Sequence, residues 1–189
     1  MKNILSLALL LGVMLFITGC GSSKYNYAVK PTPLKEGTSK YHLENFKLTL
    51  DDSGRNETSN FMNEQKMKQE FEKSLTKFMK KNEILGSDDS YSIDLNLSYV
   101  RNYYYMGNSK SRTSIQLPYF KYEYKIYDKN KKLLATYSIP QSQIEYSTFE
   151  GAHAIGFQIL AGQRKAEHEI EDINHISKYL VKNIAEMGR

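Results

Sequence analysis

The chain has 189 residues, 40% of them hydrophobic and 25% charged, with a formal net charge of +5. That balance excludes an intrinsically disordered chain, and the length suits one domain with an appendage. A mild positive charge permits contact with lipid head groups or anionic glycans without demanding it, and gives no reason to expect nucleic acid as a partner. The single cysteine, Cys20, leaves no disulfide available, so stability has to come from an ordinary core.

Lys2 precedes an apolar run, residues 4–16, which ends in Ile17-Thr18-Gly19-Cys20. A basic start, a short apolar segment and small residues before a cleavage point read as an export signal. The run is shorter than the roughly 20 residues that a membrane-spanning helix needs, and Gly21-Ser22-Ser23 follows at once. Hydrophobic, hydroxylated, small, then Cys resembles the lipobox of bacterial lipoproteins. The resemblance implies cleavage before Cys20 and acylation of its sulfur and new amino group, an anchor in the stable, multi-chain class. Residues 1–19 are therefore expected to be a signal peptide and residues 20–39 an acylated Cys with a flexible tether. Pro31, Pro33, small polar residues and the lack of an apolar period support the tether. Residues 40–189 are expected to form a single domain.

Phe46, Leu48 and Leu50 alternate with Lys47 and Thr49, which predicts a half-buried strand ending at the turn-like Asp51-Asp52-Ser53-Gly54. Ser59, Asn60 and Asn63 are capping candidates for a following helix. In it Met67, Phe71, Leu75 and Phe78 form one apolar stripe, and a stop is expected near Leu85-Gly86. Tyr91, Ile93, Leu95, Leu97 and Tyr99 alternate with polar residues, the pattern of a strand with one wet face. Arg101, Tyr103 and Tyr105 continue its inner phase. Phe120, Tyr122, Tyr124 and Ile126 predict a third strand. Leu133, Ala135, Tyr137 and Ile139 predict a fourth, paired with it across a turn at 128–132. Pro140 ends the regular part or marks an edge. Residues 163–187 predict a last helix, with Ala166, Ile170, Ile173, Ser177, Leu180, Ile184 and Met187 along one stripe. The order β-α-β-β-β-α predicts an α+β two-layer sandwich, a mixed and mostly antiparallel sheet with both helices on one face.

No set of residues has a catalytic pattern. His168, Asp172 and His175 share one helix face, but among Glu167, Glu169 and Glu171 they read as a solvated surface without a fourth metal ligand. Gly151 and Gly156 have the spacing of a phosphate-binding loop, yet Phe157 and Gln158 stand where Lys and Ser or Thr are required. Asp94-Leu95-Asn96-Leu97-Ser98 is similar to a bacterial N-glycosylation acceptor but falls inside a strand. The surface worth weighing is Tyr103, Tyr104 and Tyr105 beside Lys110 and Arg112, where rings could stack on sugars or apolar tails and the cations could pair with phosphate.

With the lipobox and this layout together, the chain resembles the small outer-membrane lipoproteins of Gram-negative bacteria. The nearest comparisons are the YajG-type lipoproteins, the LptE-type lipopolysaccharide-assembly lipoproteins and the auxiliary lipoproteins of lipid-transporting ABC systems. Under that family's sorting rule Gly21 implies the outer membrane, periplasmic side; in a Gram-positive cell the lipobox would imply the outer face of the only membrane. The resemblance implies a non-enzymatic accessory or assembly factor with no cofactor and no metal, a membrane anchor and an envelope protein partner. A module binding envelope glycan, lipid or peptidoglycan is the alternative, and nothing positive speaks for a hydrolase.

Overall fold

A computed structural model describes residues 24–52, 61–101, 118–143 and 166–189. Its elements are β1 (Asn26–Tyr27), β2 (Tyr41–Asp51), α1 (Glu64–Lys81), β3 (Tyr91–Val100), β4 (Tyr119–Tyr127), β5 (Leu133–Gln143) and α2 (Ala166–Ala185). The strands form one sheet in the order β1-β5-β4-β3-β2. β2 and β3 run parallel, and α1 makes the crossover that parallel neighbours require. The other three pairings are antiparallel. The expected α+β sandwich is therefore present, with a short additional strand, β1, on the β5 edge.

Register explains which face is buried. Leu48 lies opposite Leu97, Leu97 opposite Tyr122 and Tyr122 opposite Ile139, so these residues share one side of the sheet. Ile93, Leu95, Leu97, Tyr99, Phe120, Tyr122, Tyr124 and Ile126 are all buried there. Against them α1 sets Met67, Phe71, Leu75 and Met79, and α2 sets Ile173, Ile176, Leu180 and Ile184. Ser74 on α1 donates to Asn174 on α2 at 2.9 Å, which ties the helices side by side.

Local signals set the boundaries. Asn63 caps α1, its side-chain oxygen accepting from the Lys66 N–H at 2.8 Å. The helix stops at Lys81 with Asn82 as C-cap, earlier than the expected Leu85-Gly86. Glu83 takes the left-handed conformation, and the Ile84 and Leu85 N–H groups both return to the Met79 carbonyl. At Pro140 β5 does not end. It continues to Gln143 through a bulge, register passing from Tyr122↔Ile139 to Phe120↔Ser142. Among the described residues β1 pairs only with Ala135 and Thr136, so Pro140 has no strand partner on that side of β5 and its missing N–H costs no ladder bond with them.

Residues 24–39 differ from the expected tether. Tyr25 and Leu34 are core residues, and Tyr25 donates to the Asn183 carbonyl of α2 at 2.7 Å. The Gly37 N–H donates to the Ala185 carbonyl at 2.9 Å, and the Gly188 N–H donates to the Tyr27 hydroxyl at 2.8 Å. Gly188 has φ +92 and a Cβ there would stand 2.3 Å from the Leu34 carbonyl oxygen, so this approach is open to glycine alone. The segment therefore lies against the end of α2 as part of the domain.

Candidate functional site

Asp51 lies opposite Val100, Val100 opposite Tyr119 and Tyr119 opposite Gln143. One end of the sheet therefore carries the described flanks of the segments 53–60, 102–117 and 144–165. Met62, just before α1, and the first turn of α2 meet at the same end, because Glu169 binds both Met62 and Arg101. The expected binding residues Tyr103, Tyr104, Tyr105, Lys110 and Arg112 belong to segment 102–117 and lie outside the described residues, as does Cys20 and as do Gly151 and Gly156.

This end is built around Arg101, which is only 2% exposed. Its Nε donates to Glu169 Oε1 at 2.7 Å, its Nη2 donates to the Met62 carbonyl at 2.7 Å, and its Nη1 stands 2.9 Å from Asp52 Oδ1 as an ion pair. The Met62 N–H donates to Glu169 Oε2 at 2.9 Å, and the Phe61 ring lies 5.3 Å from the guanidinium carbon. Next to it the Tyr99 hydroxyl donates to Asp172 Oδ2 at 3.1 Å. Burial works against the Arg101 charge, and the bonds to Glu169 and Asp52 outweigh it, so the guanidinium is held charged even more firmly than usual. Burial also pushes the Glu169 carboxyl up, and the Met62 N–H and Arg101 offset only part of that. The cluster clamps β3, the residues before α1 and the start of α2 together.

The His168, Asp172 and His175 face differs from the expected solvated one. Asp172 and Glu169 are buried, and both histidines are half-buried. α2 packs on the sheet and on α1 at once, so its buried arc is wider than the apolar stripe and takes in Asp172. Among the described residues, no group of three or more His, Cys, Asp or Glu could hold a metal ion. Asp94 and Asn96 lie in β3 as expected, Asp94 accepting from Asn45 at 2.7 Å.

Two other surfaces have the makings of a binding site. On the sheet, Lys47, Thr49, Asn96, Ser98, Lys121 and Glu123, with Leu97, Tyr122 and Ile139, line a shallow trough of about 500 Å³ and of mixed polarity. On the helix side, Tyr179 of α2 is 47% exposed and packs against Phe120 and Tyr122, with centroids 6.4 and 6.5 Å away. Tyr137 extends this aromatic shelf toward Tyr25 at 5.1 Å and Tyr124 at 5.4 Å. Burial pushes the phenols of Tyr122, Tyr124 and Tyr137 up, and Tyr25 up to about 12, so all stay neutral and act as packing and hydrogen-bonding groups.

The Arg101 pair carried a signal in the sequence: Arg101 and Glu169 both fall in the apolar phase of their elements, where charges of opposite sign need each other.

The described residues thus define an α+β two-layer sandwich in which the flanks of three connections lie at one end. No protein-family model matches the chain, and no curated protein matches it. Among the solved structures similar to it are two lipoproteins. A minor lipoprotein from Acinetobacter baumannii shares 13% identity over 75% of this chain and 91% of that one, with a TM-score of 0.36. Rare lipoprotein B from Shewanella oneidensis shares 12% identity over 77% of this chain and 100% of that one, with a TM-score of 0.26. At TM-scores this low neither likeness bears on fold or function.

Proposed function

We propose that the chain is a lipid-anchored, non-enzymatic accessory or assembly lipoprotein of the bacterial envelope, held through Cys20 and facing the periplasm from the outer membrane. The observation that carries this reading is Ile17-Thr18-Gly19-Cys20 closing a short apolar run, with Gly21 after the Cys. The role of the buried charges is consistent with it: Arg101 and Glu169 bind each other and the Met62 backbone, and serve the fold. The working surface is then the end of the sheet that carries segment 102–117, with Tyr103, Tyr104, Tyr105, Lys110 and Arg112, and the partner is an envelope protein. The Tyr179 shelf favours a second reading, a module that binds envelope glycan, lipid or peptidoglycan, because an exposed ring over buried ones is a stacking platform. Metabolic labelling with a fatty-acid probe tests the anchor: wild type takes up label and Cys20→Ser does not. Equal label on both would overturn it.

A further inference from the structure

Lys24, only a few residues after Cys20, is already fixed to the domain. It donates to Asn183 Oδ1 at 2.8 Å and pairs with Glu186 at 2.6 Å. Its ammonium lies 5.1 and 5.8 Å from the ring centres of Tyr25 and Tyr137. From Cys20 to Lys24 the chain can span about 14 Å at full extension. β1 runs antiparallel to β5, so the chain ahead of Tyr27 heads from Ala135 toward Ser138, next to the level where Tyr122 lies opposite Ile139. An anchor at Cys20 therefore holds a bilayer close to the surface that surrounds Lys24.

That surface is the Tyr179 shelf. Asn183, the partner of Lys24, is one turn beyond Tyr179 on α2, about 6 Å along the helix. The Tyr122 ring joins the two sides, 6.1 Å from Tyr137 and 6.5 Å from Tyr179, and Phe120 stands 6.4 Å from Tyr179. Among the described residues Tyr179, at 47%, is the large hydrophobic side chain left exposed. Lys178 and Lys182 are exposed beside it on the same helix. A tyrosine ring is apolar in its body and polar at its tip, so it settles at the headgroup level of a bilayer. Lysines next to it there are drawn to lipid phosphate. The groups that suit a bilayer surface are thus within reach of the anchor.

We propose that the Tyr179 shelf seats on the phospholipid surface that holds the Cys20 anchor. The inference rests on the acylation of Cys20 proposed above. Tyr179 lies at headgroup level, Lys178 and Lys182 face the phosphates, and the anchor and the shelf act together. An anchor alone leaves a domain free to turn, whereas this second contact sets which side faces the membrane. α2 and the β5 edge then lie against the bilayer. β2, at the other edge of the sheet, stands three strand spacings, or about 14 Å, from β5.

The chain has no Trp, so a single introduced indole reports its own surroundings. The test uses full-length, membrane-extracted protein in vesicles of phosphatidylglycerol and phosphatidylethanolamine, with and without lipids brominated near the headgroup end of their acyl chains. Tyr179→Trp and Lys182→Trp are the shelf probes. Lys182 is an exposed position, so it reads the contact even if an indole at 179 disturbs the packing. Lys47→Trp, exposed on β2, is the control. Bromine quenches only at contact range. On vesicles the shelf probes emit at shorter wavelength and lose most of their emission to bromine, and Lys47→Trp does neither. Fatty-acid probe labelling of the same preparations separates the two claims. Protein without acyl label on Cys20 overturns the anchor and the docking together. Acylated protein whose shelf probes keep a solvent-like emission, or whose three probes are quenched alike, overturns the docking alone. So does a shift to shorter wavelength without bromine quenching, because a second copy or a partner protein then covers the shelf in place of lipid.

Discussion

Replacing Glu169 by Leu tests the clamp at the loop-bearing end. Wild-type Glu169 accepts from Arg101 Nε on one oxygen and from the Met62 N–H on the other, and is 0% exposed. Leucine leaves a buried guanidinium with Asp52 and the Met62 carbonyl alone, and orphans the Met62 N–H. Removing one member of a buried ion pair costs about 3–5 kcal/mol, and an unsatisfied buried amide costs about 1–3 kcal/mol more. Against a total stability of about 5–15 kcal/mol, that puts Glu169→Leu at the edge of folding. Glu169→Gln keeps the shape but turns one oxygen into a donor facing a donor, Arg101 or Met62, and falls in between. The double variant Arg101→Met, Glu169→Leu removes both charges and recovers much of the loss, because an apolar pair of similar volume is often neutral or better. Urea titrations of a soluble form that begins at Lys24 read these differences. Single substitutions within about 1 kcal/mol of wild type, or a double variant equal to the sum of the singles, would refute the reasoning. The pH dependence has a defined sign. Glu169 is raised above its ordinary 4.5, so the folded chain binds its proton more tightly, and this group's contribution falls as pH rises through the window above 4.5.

Three further outcomes are expected. A chain that begins at residue 38 loses Tyr25 and Leu34 from the core and should melt at least about 2–5 kcal/mol less stable than one that begins at Lys24, measured by urea denaturation. Leu180→Ala truncates a side chain that is 1% exposed between α2 and the sheet and should cost about 2–5 kcal/mol; an unchanged melt would mean that α2 offers this side chain to a partner. Burial holds the His175 imidazole below its ordinary 6.5, with Lys178 acting the same way and Asp172 and Glu171 opposing. The unfolded chain then binds the extra proton, so this contribution is full above pH 6.5 and is lost as pH falls through the lowered folded value. His175→Gln should flatten the stability profile below pH 6.5, and a profile identical to wild type would contradict it.

The alternating strands were legible because period two is a local property. Phe46 and Leu48, and Ile93 to Tyr99, fall on the buried face where the pattern puts them. The stripes of both helices were legible for the same reason. What the pattern missed is long-range. Tyr25 and Leu34 sit in a Pro- and Lys-rich stretch with no period, and only their contacts with the end of α2 make them core. The sequence pattern puts Asp172 in water because a helix on a sheet alone buries a narrow stripe, whereas α2 is covered by α1 as well. The sequence puts the α1 stop near Leu85-Gly86 because glycine is the usual left-handed residue, but Glu83 takes that conformation here. The expected binding residues 103–105, 110 and 112 lie outside the described residues, and only the flanks of their segment, Arg101 and Pro118, are placed at one end of the sheet.

The proposed anchor depends on the covalent state of Cys20. Intact-mass measurement of the protein extracted from membranes reads it directly. A chain that starts at Cys20 and carries the mass of fatty-acyl groups is the predicted result. A chain that still starts at Met1, or one that starts at Cys20 with no added mass, would contradict it.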